Sequence, residues 1–182
     1  MLTPWQLRLA SLDDVPALKA LIRQSVHELQ AADYSPELRE AALKQAFGVD
    51  RRLIYDGTYF VAEADERLVG CGGWSKRQAT YGGDRDAPGG DAIIDLTEPA
   101  RIRAFFIHPD YARRGIGRAI LHASEAALVA AGFRSAVMVA TLTGERLYAT
   151  EGYRVLARYE SPVGEGYKLP VVRMQKNWPA DL

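Results

Sequence analysis

From Ala112 to Ile120 the chain reads "ARRGIGRAI", and no other stretch limits its fold as strongly. Before it, "ARIRAFFIHP" reads as a strand. After it, Ile116, Ile120, Ala123, Ala127 and Leu128 recur at helical spacing up to a stop at Gly132. A helix that starts at such a corner offers backbone N–H groups without helical partners. With them comes about half a unit of positive charge from the macrodipole, so the corner is a natural anion seat. Gly115 and Gly117 carry no Cβ to hold a ligand away, and Arg113, Arg114 and Arg118 add mobile positive charge. A pyrophosphate suits this description better than a single carboxylate. The third glycine of the dinucleotide fingerprint is missing, as is the Gly-Lys-Ser/Thr ending of an NTPase loop. Taken alone, the corner is equally well a tight strand-to-helix turn with solvated arginines.

The rest of the chain supplies the layers. "WQLRLA" reads as a first strand, Ser11 and Asp14 as a capping pair, and Leu18, Leu21, Ile22, Val26 and Leu29 as the inner stripe of a helix. A second helix begins at "SPELREAALKQAF", capped by Ser35 with Pro36 in the first position. "TYFVAEA" and "RLVGCGGWS" form a hairpin around "DE". Residues 78–99, with "YGGDRDAPGGDA", read as a surface connection or a lid. A strand at "SAVMVAT", a short helix at "GERLYATE", and strands at "YRVLARYE" and "LPVVRMQK" follow. About seven strands with helices between them predict an α/β domain with a mixed sheet, a single domain over residues 1–182.

Lys+Arg and Asp+Glu balance at 23 each, so no overall positive field recommends a nucleic-acid or membrane-surface partner. The amino terminus lacks a basic stretch followed by an apolar core, and no run of about 18 apolar residues occurs; a cytoplasmic protein outside the membrane is expected. The single cysteine, Cys71, has no disulfide partner and no metal-ligand partner at a useful spacing. It reads as a small packing residue, and no metal is expected.

"IRAFFIHPDYARRGIGRAIL" closely resembles the acetyl-CoA-binding motif of the GNAT superfamily of acyl-CoA-dependent N-acyltransferases, and "LYATEGY" is similar to the family's LYxxxGF motif. The resemblance runs in order over nearly the whole chain. It implies a twisted sheet splayed between the fourth and fifth strands, with acetyl-CoA as co-substrate. The main chain of Phe105, Phe106 and Ile107 would run along the pantetheine arm, and Arg113, Arg114, Gly115, Ile116, Gly117 and Arg118 would donate amides to the pyrophosphate. The family often has Gln or Arg where this chain has Ala112, which removes a side chain but leaves the amide cradle.

The resemblance further implies direct attack of a primary amine on the thioester, with the Tyr148 phenol as general acid to the leaving thiolate. Proton transfer from a phenol of pKa ~10 to a thiolate of pKa ~8.5 is uphill by about 2 kcal/mol unless it is coupled to breakdown of the intermediate. A backbone N–H near Phe105 would polarise the carbonyl. No base stands out: Arg101 occupies one position where the family places a glutamate, and Glu98, Asp95, His27 and His108 are the remaining candidates. Water-mediated deprotonation favours an amine of low pKa, since an α-amino group near 7.7 is about one-sixth neutral at pH 7. His27, Tyr34, Trp74, Ser75 and Tyr81 fall in segments that line the acceptor pocket, whose amine is a small molecule or a peptide. A carboxyl-terminal edge strand such as "LPVVRMQK" is able to pair two chains into a homodimer. The alternative to catalysis is an acyl-CoA-binding or sensor module that kept the cradle and lost the chemistry.

Overall fold

The computed structural model describes residues 4–81 and 90–179. Seven strands, β1 (Gln6–Leu9), β2 (Tyr59–Ala64), β3 (Arg67–Ser75), β4 (Ala100–Ile107), β5 (Ser135–Thr141), β6 (Arg154–Pro162) and β7 (Lys168–Asn177), form one sheet. Their order is β1-β2-β3-β4-β5-β7-β6. Every neighbouring pair is antiparallel except β4 and β5, which run parallel because a helical crossover joins them. Those two strands pair only at Ala100 with Ala136 and Arg101 with Val137, and then diverge. The expected mixed sheet, splayed between the fourth and fifth strands, is the one observed.

Five helices flank it: α1 (Val15–Leu29), α2 (Pro36–Gln45), α3 (Arg51–Tyr55), α4 (Ile116–Ala130) and α5 (Glu145–Thr150). Local chemistry sets their starts. The Ser35 hydroxyl accepts from the Leu38 amide at 3.2 Å with Pro36 in the first turn, and the Asp14 carboxylate accepts from the Ser11 amide at 2.7 Å. α3 was not expected. "RRLIY" is too short to display a helical period, and its cap is Asp50, whose Oδ1 accepts from the Arg52 amide at 3.2 Å. The β2–β3 hairpin turns on Asp65 and Glu66, both left-handed at φ 48° and 58°, as a two-residue turn that follows strand twist requires.

Strand alternation divides the core. Val61 and Cys71 point to one face, where Leu18, Ile22, Val26 and Leu53 of α1 and α3 pack on them with Phe106. Ala62 and Val69 point to the other, beneath Ile116 and Ile120 of α4. On that face α4 also presses Leu121 and Leu128 against Ala136, Met138 and Val172; on the opposite face α2 covers Leu169 and Val171 of β7 through Ala41 and Ala42. The glycines of "GCGGW", Gly70, Gly72 and Gly73, answer to contacts. A Cβ on Gly70 would meet Ile116 at 2.6 Å, and one on Gly73 would meet the Thr58 carbonyl at 2.3 Å. Cys71 is fully buried, which pushes its thiol up to about 12; it packs and stays protonated.

Two expectations need correction. "LPVVRMQK" is not an edge: β7 lies between β5 and β6, and β6 is the edge strand, with Val155, Leu156 and Tyr159 exposed. The connection read over residues 78–99 extends outside the described residues at 82–89, but its described flanks are built into the fold. Gln78 donates to the Ala92 carbonyl at 2.9 Å, Ile94 donates to Lys76 at 2.9 Å, and Ala79 and Ile94 are buried. No helix among the described residues is long and apolar enough to cross a membrane.

Candidate active site

The corner at Arg113–Arg118 is built as its sequence suggests, with a division of labour between its glycines. Gly115 caps α4 in a left-handed conformation, φ 82°, and its absent Cβ would point into open space. Gly117 serves packing: a Cβ there would sit 3.1 Å from Leu147 Cδ2 of α5 and 3.8 Å from Ile107 at the end of β4. Ala119 is the residue whose amide first reaches back along the helix, to the Gly115 carbonyl at 2.9 Å, so the amides of Ile116, Gly117 and Arg118 precede the helical ladder. Arg113 is itself left-handed, φ 65°, with an exposed side chain, and the Arg114 guanidinium lies 4.7 Å from the Tyr111 ring centroid. Arg118 is already engaged, donating to Glu151 at 2.6 Å. His122 reaches the same carboxylate at 2.6 Å, and the two partners hold the Glu151 pKa below the usual carboxylate value.

The first turn of α4 therefore packs where β4 ends, beside α5, and β4 is distorted just before that point. Cys71 pairs with Phe106 and Gly73 with Arg103, so Ala104 and Phe105 face Gly72 alone: a β-bulge. Ala104 is left-handed, φ 59°, and its carbonyl receives the Tyr59 hydroxyl at 3.3 Å and the Cys71 thiol at 3.6 Å. The Phe105 ring covers Gly72, whose Cβ would overlap it at 2.6 Å. Of the three residues expected along a pantetheine arm, Ile107 donates its amide to Ser25 Oγ at 3.2 Å and Phe106 directs its amide at the Cys71 sulfur. Phe105 stands at the bulge.

Where β4 and β5 diverge lies a cavity of 110 Å³, walled by Ile102–Phe106, Met138–Thr141 and Tyr148. Tyr148 is held on α5 by edge-on contacts with Phe105 and Tyr153, each with ring centroids 6.0 Å apart. Burial pushes its phenol well above the ordinary tyrosine value, so the group is protonated throughout the physiological range. On the remaining walls are Gln30, Phe47, Asp50, Thr80 and Tyr81.

The other residues singled out in the sequence lie outside this cavity's lining. His27 pairs with Glu40 at 3.0 Å. Tyr34 is buried, donating to the Pro170 carbonyl at 2.6 Å and accepting from the Leu142 amide at 2.9 Å, and burial raises its pKa to about 12. Trp74 packs edge-on against Phe133, and Ser75 Oγ accepts from the Arg77 amide at 3.1 Å. The base candidates likewise lie outside the lining. Asp95 caps Thr97, Glu98 lies 3.9 Å from Arg101, and His108 Nδ1 accepts from the Asp110 amide at 3.2 Å. Tyr81 alone among the acceptor candidates joins the cavity wall, its hydroxyl 3.2 Å from Ser161 Oγ. Among the described residues that line the cavity, the carboxylate is Asp50, ion-paired with Arg103 where both are buried. Neither had a local signal, because α3 and β4 meet only through the fold. Among the described residues, no three His, Cys, Asp or Glu side chains converge as a metal site requires.

Comparison with known proteins agrees with this construction. A family model described as an acetyltransferase (GNAT) domain matches residues 55–155. A GCN5-related N-acetyltransferase from Rhodopseudomonas palustris superposes with a TM-score of 0.70 at 21% identity, over 97% of this chain and 98% of that one. The PaiA N-acetyltransferase from Thermoplasma acidophilum, solved in complex with coenzyme A, gives 0.65 at 18% identity over 96% and 99%. A GNAT family acetyltransferase from Brucella melitensis, solved with acetyl-CoA, gives 0.58 at 14% over 100% and 92%. No curated protein sequence matches. With the model spanning the hairpin, the bulged strand, the amide corner and the Tyr148 helix, the chain belongs to the GNAT family of acetyltransferases.

Proposed function

We propose that the protein transfers an acetyl group from acetyl-CoA to a primary amine by direct attack of the amine on the thioester. One observation carries this reading: the bulged end of β4 and the phenol of Tyr148 line the cavity where β4 leaves β5, and the open first turn of α4 packs beside it, with Gly117 against Leu147 and Ile107. The residues fit the co-substrate. Backbone amides of Arg113–Arg118, with the exposed Arg113 side chain, suit a pyrophosphate, and the left-handed Gly115 leaves open space on the approach side. Beyond Arg101 the β4 edge has no partner in β5, which suits a pantetheine arm laid along it as an added strand, the Phe106 and Ile107 amides being directed to Cys71 and Ser25.

In the reaction the amine nitrogen forms a bond to the acetyl carbon, the carbon–sulfur bond breaks, and the sulfur takes a proton. The amide of Phe105 at the bulge polarises the carbonyl, and Tyr148 supplies the proton to sulfur. Because burial raises the Tyr148 pKa, a free thiolate is a poor match for it, and transfer is concerted with carbon–sulfur cleavage. The amine's own proton leaves through water, since Asp95, Glu98, His27 and His108 are not among the described residues that line the cavity.

The test is thiol release from acetyl-CoA against a panel of amines, with calorimetric CoA binding in parallel. Tyr148→Phe is expected to lower kcat by about 10²-fold or more while CoA binding is unchanged. Tight CoA binding with no amine turned over would favour the sensor reading, and absence of CoA binding would overturn both.

A further inference from the structure

The two edges of the sheet are finished differently. β1 is four residues long, and Arg8 lies across it, donating to Asp14 at 2.8 Å and to Glu63 at 2.9 Å, so that edge is both short and charged. β6 runs for nine residues at the other edge. Arg154 to Glu160 are exposed without a break, so among the described residues neither face of that stretch is covered. Leu156 is 54% exposed and Tyr159 41%. The bulge at Leu156 and the terminal Pro162 leave Ala157–Ser161 as a regular edge, and a regular edge with uncovered apolar side chains is a template for another strand.

The turn beyond β6 fixes which main-chain groups face outward. Val163 donates to the Tyr167 carbonyl at 3.0 Å, and the register from Ala157–Arg173 to Pro162–Lys168 runs without a slip. Hydrogen-bonded positions alternate in an antiparallel pair, so Ala157, Tyr159 and Ser161 bond to β7, and the amides and carbonyls of Arg158 and Glu160 point away from the sheet. A second β6 laid antiparallel on this edge must match those outward positions with its own. A two-fold axis at Arg158 sets arginine against arginine, and one at Glu160 sets glutamate against glutamate, like charges that a strand pair disfavours. An axis at Tyr159 sets Arg158 of each copy opposite the partner's Glu160. Arg158 is already held at the edge, donating to Glu145 of α5 at 3.0 Å. Tyr159, opposite Val171, lies on the other face, where two such rings meet across the axis.

We propose that the protein forms a homodimer in which the β6 strands of two copies pair antiparallel about a two-fold axis at Tyr159, joining their sheets into one. The partner is a second copy of this chain because the edge complements itself in charge, in hydrogen-bonding parity and in apolar surface. The seam runs beside the cavity, since Tyr81 on the cavity wall lies 3.2 Å from Ser161 Oγ of β6. It is smaller than an obligate interface, so the dimer dissociates on dilution.

Sedimentation velocity over about a thousandfold range of protein concentration is expected to show dimer giving way to monomer on dilution. Glu160→Arg sets arginine against arginine in the seam, and Arg158→Glu sets glutamate against glutamate, so each alone should raise the dimer Kd about tenfold or more. An equimolar mixture of the two variants should dimerise about as tightly as the wild type, because the mixed pair restores an opposite charge at both positions. Amide exchange in the wild type should slow at Arg158 and Glu160 as concentration rises, a readout that needs no variant. A wild type that is monomeric throughout the range would overturn the inference and leave acetyl transfer standing. So would a dimer whose Kd neither variant changes, or a mixture that fails to recover.

Discussion

At the scale of the residue, the site depends on groups that hold the backbone as much as on groups that face the cleft. Ala104 adopts a left-handed conformation that costs a non-glycine residue about 1 kcal/mol or more. The Tyr59 hydroxyl and the Cys71 thiol offset that cost by donating to its carbonyl from the core side. Removing the hydroxyl with Tyr59→Phe preserves the ring and its packing, so a stability loss of about 0.5–1.5 kcal/mol is expected. If the bulge aims the Phe105 amide, the same change lowers kcat several-fold while acetyl-CoA affinity stays fixed. Denaturant unfolding together with steady-state kinetics checks both, and a rise in KM for acetyl-CoA with unchanged kcat would contradict the role given to the bulge.

At the scale of the element, α4 shows why two similar glycines should fail differently. Gly115→Ala forces a Cβ onto a left-handed backbone in open space, so it should cost about 1–2 kcal/mol and weaken CoA binding by disturbing the cap. Gly117→Ala puts a methyl 3.1 Å from Leu147, one residue before Tyr148. Its effect should fall on kcat more than on CoA affinity, because it displaces α5. Measuring CoA affinity by calorimetry and kcat for both variants separates the two. The sequence marked both glycines but not their separate duties, since the contact with Leu147 joins segments 30 residues apart. The same limit applies to the cavity wall. Helix caps at Ser11 and Ser35, the seven strand runs and the corner were readable because each is local. Gln30, Asp50 and Arg103 come from the end of α1, the cap of α3 and the middle of β4, and only the fold assembles them. Trp74 and Ser75 lie on the right strand, yet packing directs them to Phe133 and Arg77 instead.

At the scale of the molecule, the parting of β4 from β5 divides one sheet into β1–β4 and β5–β7, joined through two residue pairs at the base and through the α4 crossover. The cleft withholds main-chain pairing along most of β4, a cost the fold carries without ligand. A CoA arm laid along Phe105–Ile107 would restore part of that ladder while its pyrophosphate engages the first turn of α4. Binding should therefore tie the two halves together and stabilise the native state by ordinary linkage. At a CoA concentration one hundred times Kd the gain is about 2.7 kcal/mol, which for a chain of this size is a rise in Tm of roughly 5–10 °C. Hydrogen exchange locates the gain: protection should increase in β4 and the start of α4 and remain unchanged in β1 and β6, at the far edges. Protection spread evenly over the sheet, or a Tm indifferent to CoA, would mean that the cleft is not where the co-substrate binds.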